Sequence, residues 1–193
     1  GINGQKKILN SSICIVGCGG LGSSAAQYLL MTGIGNIMLI DNDLINLSNL
    51  NRQTLFFEKD IGKPKVDTLK RNLQEISPEA KIKAIKKKIN KKNIDNYLSQ
   101  YKIILDCTDN FQSRYLINEY CFKKKKILVS AALQNFDLQA SVFASWKKGQ
   151  YPCYNCIFPK THNTINQSCD EQGIAAPVAG FGGVLQAILT IKV

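Results

Sequence analysis

The chain has 193 residues, enough to bury a substantial core in one domain. Hydrophobic residues make up 45% of it, yet no apolar run is long enough to cross a bilayer, so it reads as a soluble globular protein and not a membrane-spanning one. The net charge of +11 favours acidic partners. However, no aromatic residues interleave with the lysine runs at 86–88 and 123–126, which argues against nucleic acid as the partner.

In chain order, hydrophobic runs alternate with helical patterns, which predicts βαβ units. "SICIVG" at 12–17 reads as a buried strand, and "LGSSAAQYLLMTG" at 21–33 as a helix closed by Gly33. "NIMLID" at 36–41 reads as a second strand, and "KPKVDTLKRNLQEIS" at 63–77 as a helix with Pro64 near its first position. Strands follow at 81–89 and 101–109, an amphipathic helix at 111–124, and two strands in "KILVSAAL" and "FDLQASVFASW" with antiparallel pairing at one end of the sheet. From Lys147 to Pro177 periodicity is lost, a length that points to a functional segment, and an apolar helix follows from Pro177. The expected fold is α/β and Rossmann-like: a mostly parallel twisted sheet with helices on both faces and an antiparallel extension. Residues 1–193 are expected to form one such domain.

Seven cysteines, Cys14, Cys18, Cys107, Cys121, Cys153, Cys156 and Cys169, form an odd set that does not suit a secreted disulfide framework. Reduced thiols and the absence of a signal-peptide pattern in "GINGQKKILN" lead to a cytoplasmic expectation.

"GCGGLG" matches G-x-G-x-x-G with Gly17, Gly19 and Gly22, placed after a strand and opening a helix. Glycines let the backbone approach a phosphate, while the helix N-terminus offers unpaired N–H groups. Asp41, at the end of the next strand, stands where ribose hydroxyls are held. These features suit a nucleotide and do not by themselves separate a mononucleotide from a dinucleotide such as NAD.

Three further features favour a polyphosphate. Arg52 lies in "DNDLINLSNLNRQTLFF" with Ser48, Asn49 and Gln53, and its planar fork grips phosphate oxygens two at a time. Lys65 falls in the first turn of a helix, where the dipole disfavours a cation unless it reaches an anion elsewhere. Asp109 follows "IILDC" at the carboxyl end of a strand and suits Mg²⁺ beside phosphates; the same residue also suits the N-cap of the helix that begins near Asn110.

In order and spacing, "GINGQKKI", "GCGGLGSSAAQYL", "DNDLINLSNLNRQTLF", "GKPKVD", "LDCTDN", "PCYNC" and "SCDEQGIAAPVAG" resemble the adenylating enzymes that activate ubiquitin-like proteins, of the ThiF/MoeB type. That resemblance implies that the turn at Gly17, Gly19 and Gly20 binds the adenosine part of ATP together with Asp41. It implies that Ser48, Asn49, Arg52 and Lys65 hold the phosphates and that Asp109 binds Mg²⁺; Gln53 and Asn110 are expected among the cofactor-binding residues beside them. The implied reaction is attack of a carrier's C-terminal glycine carboxylate on the α-phosphate. The implied partners are an acidic ubiquitin-like sulfur carrier of thiamine or molybdenum-cofactor synthesis, a second copy in a homodimer, and a possible sulfur-donor protein.

Cys153 and Cys156 have C-x-x-C spacing, which suits half of a tetrahedral zinc site, a redox pair or two unliganded thiols. Relatives place a second such pair downstream, so structural Zn²⁺ is expected in the intact protein with ligands beyond Val193. Cys169 matches a cysteine that relatives use in thioester or persulfide chemistry, and His162, the only histidine, reads as a loop residue. The family's arginine-bearing segment ahead of "GINGQKKI" does not appear, so short segments are expected to be missing at both termini. The competing readings are an NAD-dependent oxidoreductase and a catalytically silent subunit of an activating heterodimer.

Overall fold

The computed structural model describes residues 1–147, 149, 151–160 and 173–193. Its six strands are β1 (Ser12–Val16), β2 (Asn36–Asp41), β3 (Lys81–Lys86), β4 (Ile103–Asp106), β5 (Ile127–Gln134) and β6 (Asp137–Phe143). They form one sheet in the order β3-β2-β1-β4-β5-β6. All neighbours are parallel except β5 and β6, an antiparallel hairpin turned at Asn135, which takes a positive φ of 52°. The expected parallel sheet with an antiparallel extension is therefore present.

Period-two alternation sorts each strand between two cores. Ile13, Ile15, Ile37, Leu39, Leu105 and Val129 face one side, under α2 (Gly20–Met31), α3 (Lys65–Ile76) and α7 (Ala176–Lys192). Cys14, Val16, Met38, Ile40, Ile104 and Leu128 face the other, under α4 (Ile94–Leu98), α5 (Phe111–Lys123) and the single turn α6 (Tyr154–Ile157). The chain begins with α1 (Ile2–Leu9), which buries none of its residues.

Boundaries shift where local chemistry overrides the pattern. Pro64 is the N-cap of α3 and not its first helical residue, with extended backbone at ψ 132°. The strands expected at 81–89 and 101–109 end at Lys86 and Asp106, because the chain then leaves the sheet to form the rim of a cleft. α5 is not amphipathic in the simple sense: its buried positions include Arg114 and Asn118 as well as Tyr115 and Ile117. α7 can lie against α2 only because Gly183 has no side chain, since a Cβ there would sit 2.5 Å from the Leu21 carbonyl oxygen.

Candidate functional site

In an open α/β sheet the crevice forms where successive connections leave in opposite directions, here between β1 and β4. A cavity of about 330 Å³ opens at the carboxyl ends of these strands, within the range of small-molecule sites. The turn after β1 brings Gly17, Gly19 and Gly20 to it, and β2 brings Asp41. The segment that follows β2 brings Asn49, Arg52 and Gln53, the start of α3 brings Lys65, and the β4–α5 turn brings Asp109 and Asn110. Of the residues expected at a nucleotide, Ser48 alone is not part of the lining. It is exposed, and its carbonyl accepts a 2.8 Å hydrogen bond from Arg52 Nη1. Cys169 and His162 lie outside the described residues.

The glycines differ in what they do. Gly17 has a φ of +94°, and a Cβ on it would stand 2.5 Å from the Cys107 carbonyl oxygen; a Cβ on Gly22 would stand 1.9 Å from the Gly17 carbonyl oxygen. Those two positions belong to close βα packing. Gly20 is likewise crowded, by Ala179 and the Arg52 backbone. At Gly19 the nearest atom is Gln53 Nε2 at 3.5 Å, and its φ of −77° is ordinary. Gly19 is thus the turn position that leaves room on the cavity side for a ligand.

Asp41 holds the turn as well as facing the cavity. Its two carboxylate oxygens accept from Cys18 N at 2.7 Å and Asp43 N at 2.8 Å. Burial pushes its carboxyl above the usual range, an effect that these two hydrogen bonds oppose. A carboxylate has about four acceptor sites, so capacity for sugar hydroxyls remains.

Lys65 is 7% exposed and its Nζ lies 3.1 Å from Asp43 Oδ2. The cation at a helix N-terminus is therefore held at the cavity wall by a carboxylate that is itself half exposed. Gln53 is buried; its Nε2 is the atom nearest the open face of Gly19, and its Oε1 has no hydrogen-bond partner among the described residues.

The helix-capping alternative for Asp109 resolves in favour of its neighbour. Asn110 caps α5, its Oδ1 accepting from Ser113 N at 2.9 Å, while Asp109 accepts from the Asn110 amide at 3.1 Å. Its carboxylate thus remains at the cavity. Among the described residues no group of three or more His, Cys, Asp or Glu side chains converges as a metal cage. One carboxylate beside a polyphosphate does fit the donor set that Mg²⁺ takes when phosphate oxygens and water complete its shell.

Lys87 and Lys88, known from the sequence only as part of a basic run, line the same cavity, as do Asp43, Thr108 and Arg114, none of which was expected there. Arg114 carried a usable signal, a cation in the opening turns of a helix, the same logic that marked Lys65.

Cys153 and Cys156 face each other with sulfurs 3.3 Å apart beside a second cavity of about 310 Å³. Burial pushes the Cys153 thiol up, but hydrogen bonds with Cys156 and Asn118 outweigh it and hold it below its ordinary value. Cys14, Cys18, Cys107 and Cys121 are buried, and burial pushes each of those thiols far up. Brief treatment of the native protein with iodoacetamide is therefore expected to modify Cys153 and Cys156 and to spare these four. Peptide mass spectrometry reads the result, and early labelling of Cys18 would mean that the glycine turn opens readily.

No helix among the described residues is long and apolar enough to cross a membrane. Comparison with known proteins matches residues 1–193 to the family model described as "ThiF family". The chain is 35% identical over 192 residues to the sulfur carrier protein ThiS adenylyltransferase of Escherichia coli strain K12, covering 99% of this chain and 75% of that one. It is 40% identical over 194 residues to the adenylyltransferase and sulfurtransferase MOCS3 of Drosophila willistoni, covering all of this chain but only 42% of that protein. Among solved structures it superimposes on E. coli MccB with ATP at a TM-score of 0.85 and 30% identity, covering 99% of this chain and 57% of that one.

Proposed function

The chain belongs to the ThiF family, and from that premise we propose that it is an ATP-dependent adenylyltransferase acting on the C-terminal glycine carboxylate of a ubiquitin-like sulfur carrier. The observation that carries this reading is the convergence of the glycine turn, Asp41, Arg52, Lys65 and Asp109 on one cavity from separate chain segments. An oxidoreductase would give the two cations and Asp109 no purpose. A silent subunit would be expected to lack some of them.

In this reaction the carboxylate oxygen attacks the α-phosphorus as the bond to the bridging oxygen of pyrophosphate breaks, leaving an acyl-adenylate. The reading assigns Gly19 and the Gln53 amide to the phosphate backbone and Asp41 to the ribose. Arg52 and Lys65 offset the charge that develops on departing pyrophosphate, and their positions before reaction lower the cost of reorganisation. No protein nucleophile is needed for this step; positioning carries the rate. Mg²⁺, held by Asp109, would supply further neutralisation of the phosphates.

Carrier-dependent exchange of labelled pyrophosphate into ATP tests the activity. Exchange without carrier would remove the substrate reading, and tight NADH binding without ATP binding would favour the oxidoreductase. With a net charge of +11, docking of an acidic carrier is expected to weaken as salt rises, read as a higher KM for the carrier at 0.5 M than at 0.05 M NaCl.

On this reading the reaction stands at the start of sulfur delivery in thiamine or molybdopterin synthesis, with a sulfur-donor protein acting on the adenylate, and the relatives named as a ThiS adenylyltransferase and as an adenylyltransferase and sulfurtransferase support it. A homodimer and a cytoplasmic location belong to the same proposal, as does a single adenylation domain over residues 1–193. Cys153 and Cys156 would give two thiolates to a structural Zn²⁺ completed by ligands outside the described residues. Tetrahedral zinc holds its sulfurs about 3.8 Å apart, so their 3.3 Å separation needs only a small opening. A role for Cys169 in sulfur transfer is part of the proposal and is tested by Cys169→Ala in a sulfur-transfer assay.

A further inference from the structure

Thr108 stands immediately before Asp109, and each of its polar groups is engaged. Its backbone N–H donates to Asp106 Oδ1 at 3.1 Å and its hydroxyl donates to the same oxygen at 2.7 Å. Its carbonyl accepts from Arg114 Nη2. Asp106 is fully buried, and its second oxygen accepts from Ser130 Oγ at 3.1 Å. Arg114 is 4% exposed, and its other arm donates to the Ala131 carbonyl at 2.8 Å. The buried Gln186 of α7 ties in the same strands by donating to the Asp106 carbonyl at 3.0 Å and the Val129 carbonyl at 3.2 Å.

A carboxylate and a guanidinium both removed from water are costly to fold. Here they grip one residue from opposite sides instead of pairing directly. On the far side of Asp109, Asn110 is fixed as the helix cap and donates its amide to the Asp109 carboxylate. The acid is thus the exposed link between two anchored residues.

We propose that Asp106, Thr108 and Arg114 are positioning residues that hold the Asp109 carboxylate where a nucleotide-bound divalent cation meets it. This inference rests on the reading of Asp109 as the metal anchor. Groups that orient a metal-ligating carboxylate commonly matter to affinity nearly as much as the ligand, because a loose ligand must be ordered on binding. Neither Asp106 nor Arg114 touches the metal; both act through the turn.

The test uses Mn²⁺ in place of Mg²⁺ and a non-hydrolysable ATP analogue, with free Mn²⁺ read by electron paramagnetic resonance. Thr108→Val keeps the shape and the backbone bonds but removes the hydroxyl donation to Asp106. It is expected to weaken Mn²⁺ binding about ten-fold, a larger fall than in metal-free binding of the analogue, and to lower Tm modestly because buried Asp106 loses one of its donors. Thr108→Ser is expected to restore affinity, and Arg114→Lys, which loses the two-armed grip, to weaken it as Thr108→Val does. If Arg114→Lys fails to fold, the valine and serine variants decide alone. Wild-type Mn²⁺ affinity in Thr108→Val, alongside weakened affinity in Asp109→Asn, overturns the positioning role. If Asp109→Asn itself binds Mn²⁺ normally, the metal-anchor reading falls instead.

Discussion

Lys65→Met is expected to lower carrier-dependent pyrophosphate exchange by about 10²–10³-fold, the range seen when one preorganised charge-stabilising donor is lost from an enclosed site. The ammonium lines the cavity and lies 3.1 Å from Asp43 Oδ2, held at the opening turn of α3 where a cation is otherwise disfavoured. Methionine keeps the apolar stem, and the Asp43 carboxylate it leaves behind is half exposed and can be solvated by water. The loss is therefore expected in kcat with little change in Tm. A collapse of Tm would make Lys65 a folding residue, and exchange at the wild-type rate would leave the phosphates without this cation.

The second large effect separates packing from ligand binding within a single turn. Gly22→Ala puts a methyl 1.9 Å from the Gly17 carbonyl oxygen, where only a backbone shift relieves the clash. A destabilisation on the order of 3 kcal/mol or more is expected, or a Tm lower by roughly 6–12 °C at this chain length. Gly19→Ala meets nothing nearer than 3.5 Å and keeps a φ that alanine adopts readily. Its small N-cap penalty is offset by the entropy that alanine removes from the unfolded chain, for a net change within about 1 kcal/mol. Its methyl would nevertheless occupy the side on which a phosphate approaches, so ATP affinity is expected to fall at least about ten-fold. Thermal unfolding paired with ATP titration separates the two variants. Equal loss of Tm in both would mean that Gly19 too serves packing.

Much of this protein is written in short-range patterns. Short continuous apolar runs marked β1, β2 and β5, glycine and the following helix marked the turn, and Asp41 lay where a second strand ends. These features are local because they depend on apolar runs of a few residues, on the 3.6-residue helical period and on positions that need no side chain. α1 is not legible as a helix in this way: it is eight residues long, none of them is fully buried, and it rests on the core mainly through Ile8, too little to show a helical period.

The charged residues divide along the same line. A scarce arginine among amides and a lysine at a helix start are visible in one dimension, and the fold brings Arg52 and Lys65 to one cavity as expected. Their partners are not visible, because Asp43 meets Lys65 through a loop closed in space and Asp106 meets Ser130 only once β4 and β5 pair. The amino-acid sequence alone determined the six strands, the helices α2, α3, α5 and α7, the glycine turn and the residues proposed to meet polyphosphate, and it left out α1, α4 and α6. The tertiary structure decided which glycine leaves room at the cavity, which of Asp109 and Asn110 caps α5, and which buried charges hold the turn before Asp109. Those outcomes depend on close approach between distant segments, such as Gly20 against Ala179, and on how far each group is removed from water.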